Sequence, residues 1–221
     1  MGTMFAFIYT DAGISASQLK VHLKSAVDKS FNMIVVDGDT STNDTVLITA
    51  TGLAEAVDTD KDQKNFQKEF QEGLDYVCRH LARAIARDGE GATHLIEVNV
   101  TGACNDDDAK LAAKAVVRSP LVKTAIFGRD PNWGRVVAAV GYSKADVDGE
   151  KLTLSFANEN AKLVVVDCGN VLTPDSAILS NIMESAEVKI NVDLHKGEGS
   201  ATAWGCDFSY DYVKINAKYT T

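Results

Sequence analysis

The sequence predicts an α+β layered fold, and three observations carry that prediction. Short apolar runs bounded by Gly, Asp and Asn read as strands. Runs of helical period lie between them, one of them long. The final third then returns to strand-like runs joined by Gly-rich turns, which mixes α/β units with hairpins rather than repeating one unit. The 221 residues, 45% of them hydrophobic, suffice for one sizeable core, with room for a smaller C-terminal lobe from about residue 145. Neither an internal repeat nor a linker marks a boundary, so residues 1–221 read as one piece.

Each element follows from its local pattern. The run from Met4 to Tyr9 is a buried strand, and Asp11-Ala12-Gly13 turns the chain. Leu19, Leu23 and Val27 recur at helical spacing between Ser17 and Ser30. Strands follow over Asn32–Val36 and Thr45–Thr51, with the polar loop Asp37–Asp44 between them and an acidic connection over Glu55–Gln63. Phe66, Phe70, Leu74, Val77, Leu81 and Ile85 form the stripe of a long helix ending near Asp88-Gly89. His94–Thr101 alternates as a strand, and Asn105 or Asp106 caps a helix that Pro120 stops after Ser119. Leu121–Phe127 reads as a strand, and Trp133–Val140 as a short helix after the loop Gly128–Asn132. Strands are expected at Lys151–Phe156 and Lys162–Val166, then a last short helix with Thr173 as cap and Pro174 at its first position. Glu187–Leu194 and Ser200–Phe208 read as a hairpin across Lys196–Gly199.

Composition excludes several classes. The net charge of −9 and the lack of a Lys/Arg run argue against nucleic-acid and anionic-membrane partners. No apolar run reaches spanning length, and the start lacks a secretory pattern. Cys78, Cys104, Cys168 and Cys206 are scattered without a C-x-x-C pair, which suits reduced thiols in a cytoplasmic protein. The four histidines share no ligand spacing with them, so neither a metal nor a bound cofactor is expected.

Four stretches could carry chemistry. Thr3 stands at the mouth of the first strand. If the Gly2–Thr3 bond is cut, Thr3 holds a hydroxyl nucleophile and its own base, an α-amine titrating at roughly 7.7–8.0. Asp37-Gly38-Asp39 after an apolar strand matches the way some phosphatases present a nucleophilic Asp beside magnesium, but it equally makes a turn network. Such a phosphatase needs a second acidic pair, and Asp106-Asp107-Asp108 fits a helix start better. Glu90 lies between Gly89 and Gly91, where a carboxylate could face a ligand or simply solvent. Asp130–Arg135 reads either as a site loop whose Arg135 clamps a carboxylate or as a structural loop with Asn132 as cap.

The segments GTMFAF from Gly2, DGDTSTNDT from Asp37, SPLVKTAIFG from Ser119, DPNWGR from Asp130 and AWGCDFSYDYVKINAKYTT from Ala203 are long and compositionally unbiased. Across essentially the whole chain they resemble the β-chain of ornithine acetyltransferases (bifunctional glutamate N-acetyltransferases). The resemblance implies a precursor that cleaves itself between Gly2 and Thr3, leaving Thr3 as nucleophile of an N-terminal-nucleophile-like fold of stacked sheets flanked by helices. Gly2 replaces the Ala more usual in that family, a change that leaves the attacked carbonyl accessible. By the same resemblance Thr3, Glu90, Asn216 and Thr221 bind substrate, and an α-chain supplies an oxyanion-hole Thr-Gly pair and a lysine. The implied reaction passes acetyl from N-acetylornithine to glutamate through an acetyl-threonine in arginine biosynthesis. No cofactor is implied, acetyl-CoA stays open as a co-substrate, and the implied assembly is an α2β2 heterotetramer. Two other readings remain: an N-terminal-nucleophile aminopeptidase or amidase in which water is the acceptor, and a non-catalytic partner subunit.

Overall fold

The computed structural model describes residues 4–54 and 60–218. In chain order its strands are β1 (Phe5–Thr10), β2 (Ile34–Val35), β3 (Thr45–Ala50), β4 (Leu95–Ala103), β5 (Thr153–Ala157), β6 (Lys162–Asp167), β7 (Asn170–Val171), β8 (Glu187–Asp193) and β9 (Gly199–Cys206). The helices are α1 (Ala16–Asp28), α2 (Asp60–Arg87), α3 (Asp106–Arg118), α4 (Pro120–Phe127), α5 (Trp133–Gly141), α6 (Ser176–Glu184) and α7 (Tyr210–Lys218). The chain divides into two compact units, Met1–Asn32 with Asp39–Ala82, and Met33–Gly38 with Arg83–Thr221.

In the first unit β1 and β3 form a two-stranded parallel sheet in the register Phe5↔Thr45 to Thr10↔Ala50. A capping box starts α1: Ser15 accepts from the Gln18 amide at 3.3 Å, and Gln18 reaches back to the Ser15 amide. Gln71 and Asp75 of α2 then hold α1 and its end through His22 Nδ1 at 2.6 Å and Lys29 at 3.6 Å. The acidic connection expected over Glu55–Gln63 is helical from Asp60, and residues 55–59 lie outside the described residues. The buried ridge of α2 is Leu74, Cys78, Ala82 and Ala86, while Val77 is exposed. The predicted stripe is thus rotated toward residues too small to register as a hydrophobic signal.

The second unit is built on a seven-stranded mixed sheet in the order β2-β9-β4-β8-β5-β6-β7. One face carries Ile96, Val98, Val100, Val188, Ile190, Val192, Leu154 and Phe156, all buried. Onto it α3 lays Ala109, Ala112, Ala113, Val116 and Val117, small residues that allow the helix close to the strands. The approach is so close at Gly205 that a Cβ there would sit 2.6 Å from Val117 Cγ2. The other face is polar and internally bonded. Trp204 Nε1 donates to Glu97 at 3.0 Å, Thr202 to Asn99 at 2.8 Å, Asn99 to Asn191 at 3.2 Å and Asn191 to Ser155 at 3.3 Å.

Three local expectations are corrected. Leu121–Phe127 is the helix α4, because Ser119 and Pro120 begin a helix as well as ending one: Ser119 accepts from the Val122 amide at 3.4 Å, with Pro at the first position. The cap of α6 is Asp175, not Thr173, and its Oδ1 accepts from Ala177 and Ile178 amides at 2.8 and 3.2 Å. β8 and β9 do not pair; β4 lies between them, parallel to β8 and antiparallel to β9. α7, after β9, was not foreseen as a helix, since its turn chemistry is a single Ser209 whose hydroxyl accepts from the Asp211 amide at 3.1 Å. No described helix is long and apolar enough to cross a membrane.

Candidate functional site

Two of the predicted substrate-binding residues, 126 positions apart, meet in the second unit. Asn216 Nδ2 donates to Glu90 Oε2 at 2.7 Å and to Tyr212 O at 3.0 Å. Both amide hydrogens of Asn216 are therefore committed. Glu90 Oε1 and Asn216 Oδ1 have no hydrogen-bond partner among the described residues. Two acceptor oxygens on a hydrogen-bonded pair, one of them on a carboxylate, suit a cationic amine. Gly2, Thr3 and Thr221 lie outside the described residues.

The pair is positioned by stitching the loop after α2 to the corner that starts α7. Asp207 is fully buried. Its Oδ1 accepts from the amides of Thr93 and His94 at 2.8 and 3.0 Å, and its Oδ2 accepts from the Thr93 hydroxyl and lies 3.0 Å from His94 Nδ1. Burial alone would push the Asp207 carboxyl up, but these side-chain and backbone donors together hold it below the usual carboxylate range. Two residues on, Ser209 donates to Gly91 O at 2.5 Å while capping α7. The glycines flanking Glu90 serve this packing. Gly91 has φ +68°, and a Cβ on it would sit 2.6 Å from Tyr212 N; one on Gly89 would sit 2.6 Å from Cys206 Sγ.

Beneath the corner lies Lys123, also fully buried. Its ammonium donates to Cys206 O and stands 4.6 Å from the centre of the Phe208 ring. Burial pulls the Lys123 pKa down. The same burial pushes the Cys206 thiol up, against the pull of the Lys123 charge. Phe208 in turn stacks on Tyr212 with ring centres 4.8 Å apart, and the Tyr212 hydroxyl donates to Asp37 at 3.3 Å. Sequence reading did not single out Asp207, Ser209 or Lys123. Their only local signal was membership of the long shared motifs.

The other candidate stretches take structural roles. Asp106, Asp107 and Asp108 occupy the first turn of α3, where Asp106 accepts from the Ser200 amide at 2.9 Å and Asp107 pairs with Lys110 at 3.1 Å. Asn132 caps α5, and Arg135 spends a guanidinium N–H on Leu121 O at 2.8 Å, bracing α4. Among the described residues no cluster of His, Cys, Asp and Glu is arranged to hold a metal.

A family model described as the ArgJ family matches residues 1–221. The chain belongs to the ArgJ family. Among curated ArgJ-related proteins, a glutamate N-acetyltransferase of Methanosarcina mazei is 56% identical over all of this chain, which spans 55% of that relative. The arginine biosynthesis bifunctional protein ArgJ of Caldanaerobacter subterraneus is 48% identical, again over the whole chain and 55% of the relative. The chain thus spans about half the length of these ArgJ relatives. The crystal structure of the arginine biosynthesis bifunctional protein argJ from Bacillus halodurans superposes with a TM-score of 0.86 at 46% identity, covering 98% of this chain and 100% of that one. The α+β layered architecture is accordingly that of a solved ArgJ chain.

Proposed function

We propose that this chain is the β-chain of a two-chain acetyltransferase that moves an acetyl group from N-acetylornithine to glutamate in arginine biosynthesis. The observation that carries the reading is the Glu90–Asn216 pair, joined at 2.7 Å with two acceptor oxygens uncommitted. It gives a cationic amino-acid amine a receptor in a chain whose relatives are named for glutamate acetylation and arginine biosynthesis. The proposed partner is an α-chain from the other half of the precursor, in a cytoplasmic α2β2 assembly. Coverage supports two chains: this sequence matches 55% of a curated relative but all of a solved chain.

In the proposed mechanism Thr3 Oγ first attacks the Gly2 carbonyl, the acyl group shifts from nitrogen to oxygen, and water hydrolyses the ester to free the Thr3 α-amine. In turnover the same oxygen attacks the acetyl carbonyl while the α-amine takes its proton. The C–N bond of N-acetylornithine breaks, the proton passes to the leaving nitrogen, and an acetyl-Thr3 ester remains. The glutamate amine attacks that ester, and the proton returns to Thr3 Oγ. Glu90, Asn216 and Thr221 hold the amino-acid portion, and the α-chain supplies the oxyanion donors the tetrahedral intermediates require. No cofactor takes part; acetyl-CoA would enter as an alternative donor.

Intact mass of the co-expressed two-chain protein tests this. The expected result is a β-chain that begins at Thr3, gains one acetyl group with N-acetylornithine, and loses it when glutamate is added with formation of N-acetylglutamate. Loss of the acetyl group to water at the same rate without glutamate would make the protein an amidase. A chain that keeps Met1-Gly2 and never acetylates would refute the reading. The same assay with acetyl-CoA decides whether that donor is used.

A further inference from the structure

We infer that a polar cavity at one end of the seven-stranded sheet binds a free α-amino acid by both of its charged ends, the carboxylate on Arg87 and the ammonium on Glu159. The cavity shares no residue with the Glu90–Asn216 pair.

It has a volume of about 290 Å³ and lies within the second unit, between the last residue of α2, the turn joining β5 to β6 and the segment leading from α6 into β8. Cavities for drug-sized ligands span roughly 300–1,000 Å³, so this one has room for a single molecule of amino-acid size.

Its wall is fixed by hydrogen bonds. Asn158 is buried, and its Oδ1 accepts from the amides of Asn160 and Ala161 at 2.9 and 2.8 Å, which sets the turn that carries Glu159 and Asn160. Its Nδ2 donates to Ser185 Oγ at 2.8 Å and to Asn181 Oδ1 at 3.3 Å, tying that turn to the end of α6. Arg83 Nη2 donates to Glu187 Oε1 at 2.5 Å and so fastens β8 to α2 one turn before Arg87. A wall held in this way is organised before a ligand arrives.

Two charges in the lining remain uncommitted. The side chains of Arg87 and Glu159 make no hydrogen bond or ion pair with any described residue, and although both line the cavity they do not pair with each other. The carbonyl end of α2 favours a cation at Arg87, whose guanidinium fork matches a planar carboxylate. Glu159, an acceptor only, calls for a cationic donor. A simple anion would face Glu159 and a simple amine would face Arg87, each a like charge. A molecule carrying both a carboxylate and an ammonium satisfies the two together. Glu187, the third charged group of the lining, is already matched by Arg83, so the cavity is electrically balanced, as a zwitterion is. The Asn160 amide and the Ser185 hydroxyl then suit an uncharged polar side chain.

Titration calorimetry of the purified protein at low salt, where exposed charges are least screened, tests this with L-glutamine as the probe. L-Glutamine should bind at least about 10-fold more tightly than 4-aminobutanamide, which lacks the carboxylate, and than N-acetyl-L-glutamine, which lacks the ammonium. Arg87→Gln should make L-glutamine and 4-aminobutanamide bind alike, and Glu159→Gln should erase the preference over N-acetyl-L-glutamine. Both residues are exposed, so thermal melts of the two variants should match the wild type. Glu90→Gln should leave L-glutamine binding unchanged. Binding that Glu90→Gln abolishes and Arg87→Gln spares would put the ligand on the Glu90–Asn216 pair and overturn the assignment. No saturable binding, or preferences that survive both cavity substitutions, would overturn it too.

Discussion

Gly91 can carry no side chain without moving the helix that holds Asn216. Its φ of +68° disfavours any L-residue, and its missing Cβ is the space occupied by Tyr212 N. Gly91→Ala should cost about 2 kcal/mol of stability in a denaturant titration and, in the proposed reaction, raise KM for the amino-acid substrate more than it lowers kcat. Glu90→Gln, which keeps the shape and removes the charge, should raise KM roughly 10-fold with unchanged stability, since a neutral acceptor binds an ammonium less strongly. Asp207→Asn is the opposite kind of change, leaving a buried cluster of Thr93 and His94 donors short of an acceptor. It should cost about 3 kcal/mol at neutral pH. The sign of the pH effect follows from a folded-state pKa held below the unfolded value. Asp207 stabilises fully above about pH 4 and loses that contribution as pH falls through the folded value, so the variant should show a flatter stability profile on the acid side. Glu90 and Asn216 were legible only through resemblance, because no local pattern links residues 126 apart. Asp207 was legible only as a member of a shared motif, as an Asp beside an aromatic carries no sign that two backbone amides will converge on it.

At the scale of elements, sequence signals read well where a cap is unambiguous and poorly where one residue serves two helices. Asn105 and Asn132 act as the caps their positions suggest. Ser119 closes α3 and opens α4, and an eight-residue apolar run after it cannot be told from a strand by periodicity alone. In α2 the stripe of large residues is legible, but the buried ridge contains Cys78, Ala82 and Ala86. Burial, with Asp75 nearby adding to it, pushes the Cys78 thiol from 9.0 to about 11. A raised pKa means the folded state keeps its proton while the unfolded chain releases it, so stability falls as pH rises from about 9 to 11. The expected loss is about 1–2 kcal/mol. Cys78→Ala should remove that alkaline slope in thermal melts across this range while lowering stability at neutral pH by about 1 kcal/mol for the lost sulfur contacts.

Across the whole molecule, strand existence was legible and strand order was not. Glu187–Leu194 and Ser200–Phe208 have the alternation and the Gly-rich turn of a hairpin, yet β4, nearly a hundred residues earlier, inserts between β8 and β9. The polar ladder on one face explains the preference. Asn99 of β4 reaches Asn191 on one side and receives Thr202 on the other, and Glu97 accepts from Trp204. A direct β8–β9 pairing would forfeit these bonds and uncover the apolar face of β4, whose Ile96, Val98 and Val100 meet α3. Pairing on both edges and burial on one face make β4 the element whose amides open only with global unfolding. Hydrogen exchange should therefore find residues 96–100 the slowest in the second unit. Amides of β7, an edge strand whose Asn170 and Val171 are exposed, should exchange at least 100-fold faster, a difference of about 2.7 kcal/mol in opening free energy. Equal rates in β4 and β7 would mean the sheet opens as one piece, and β4 would lose its place as the organising strand.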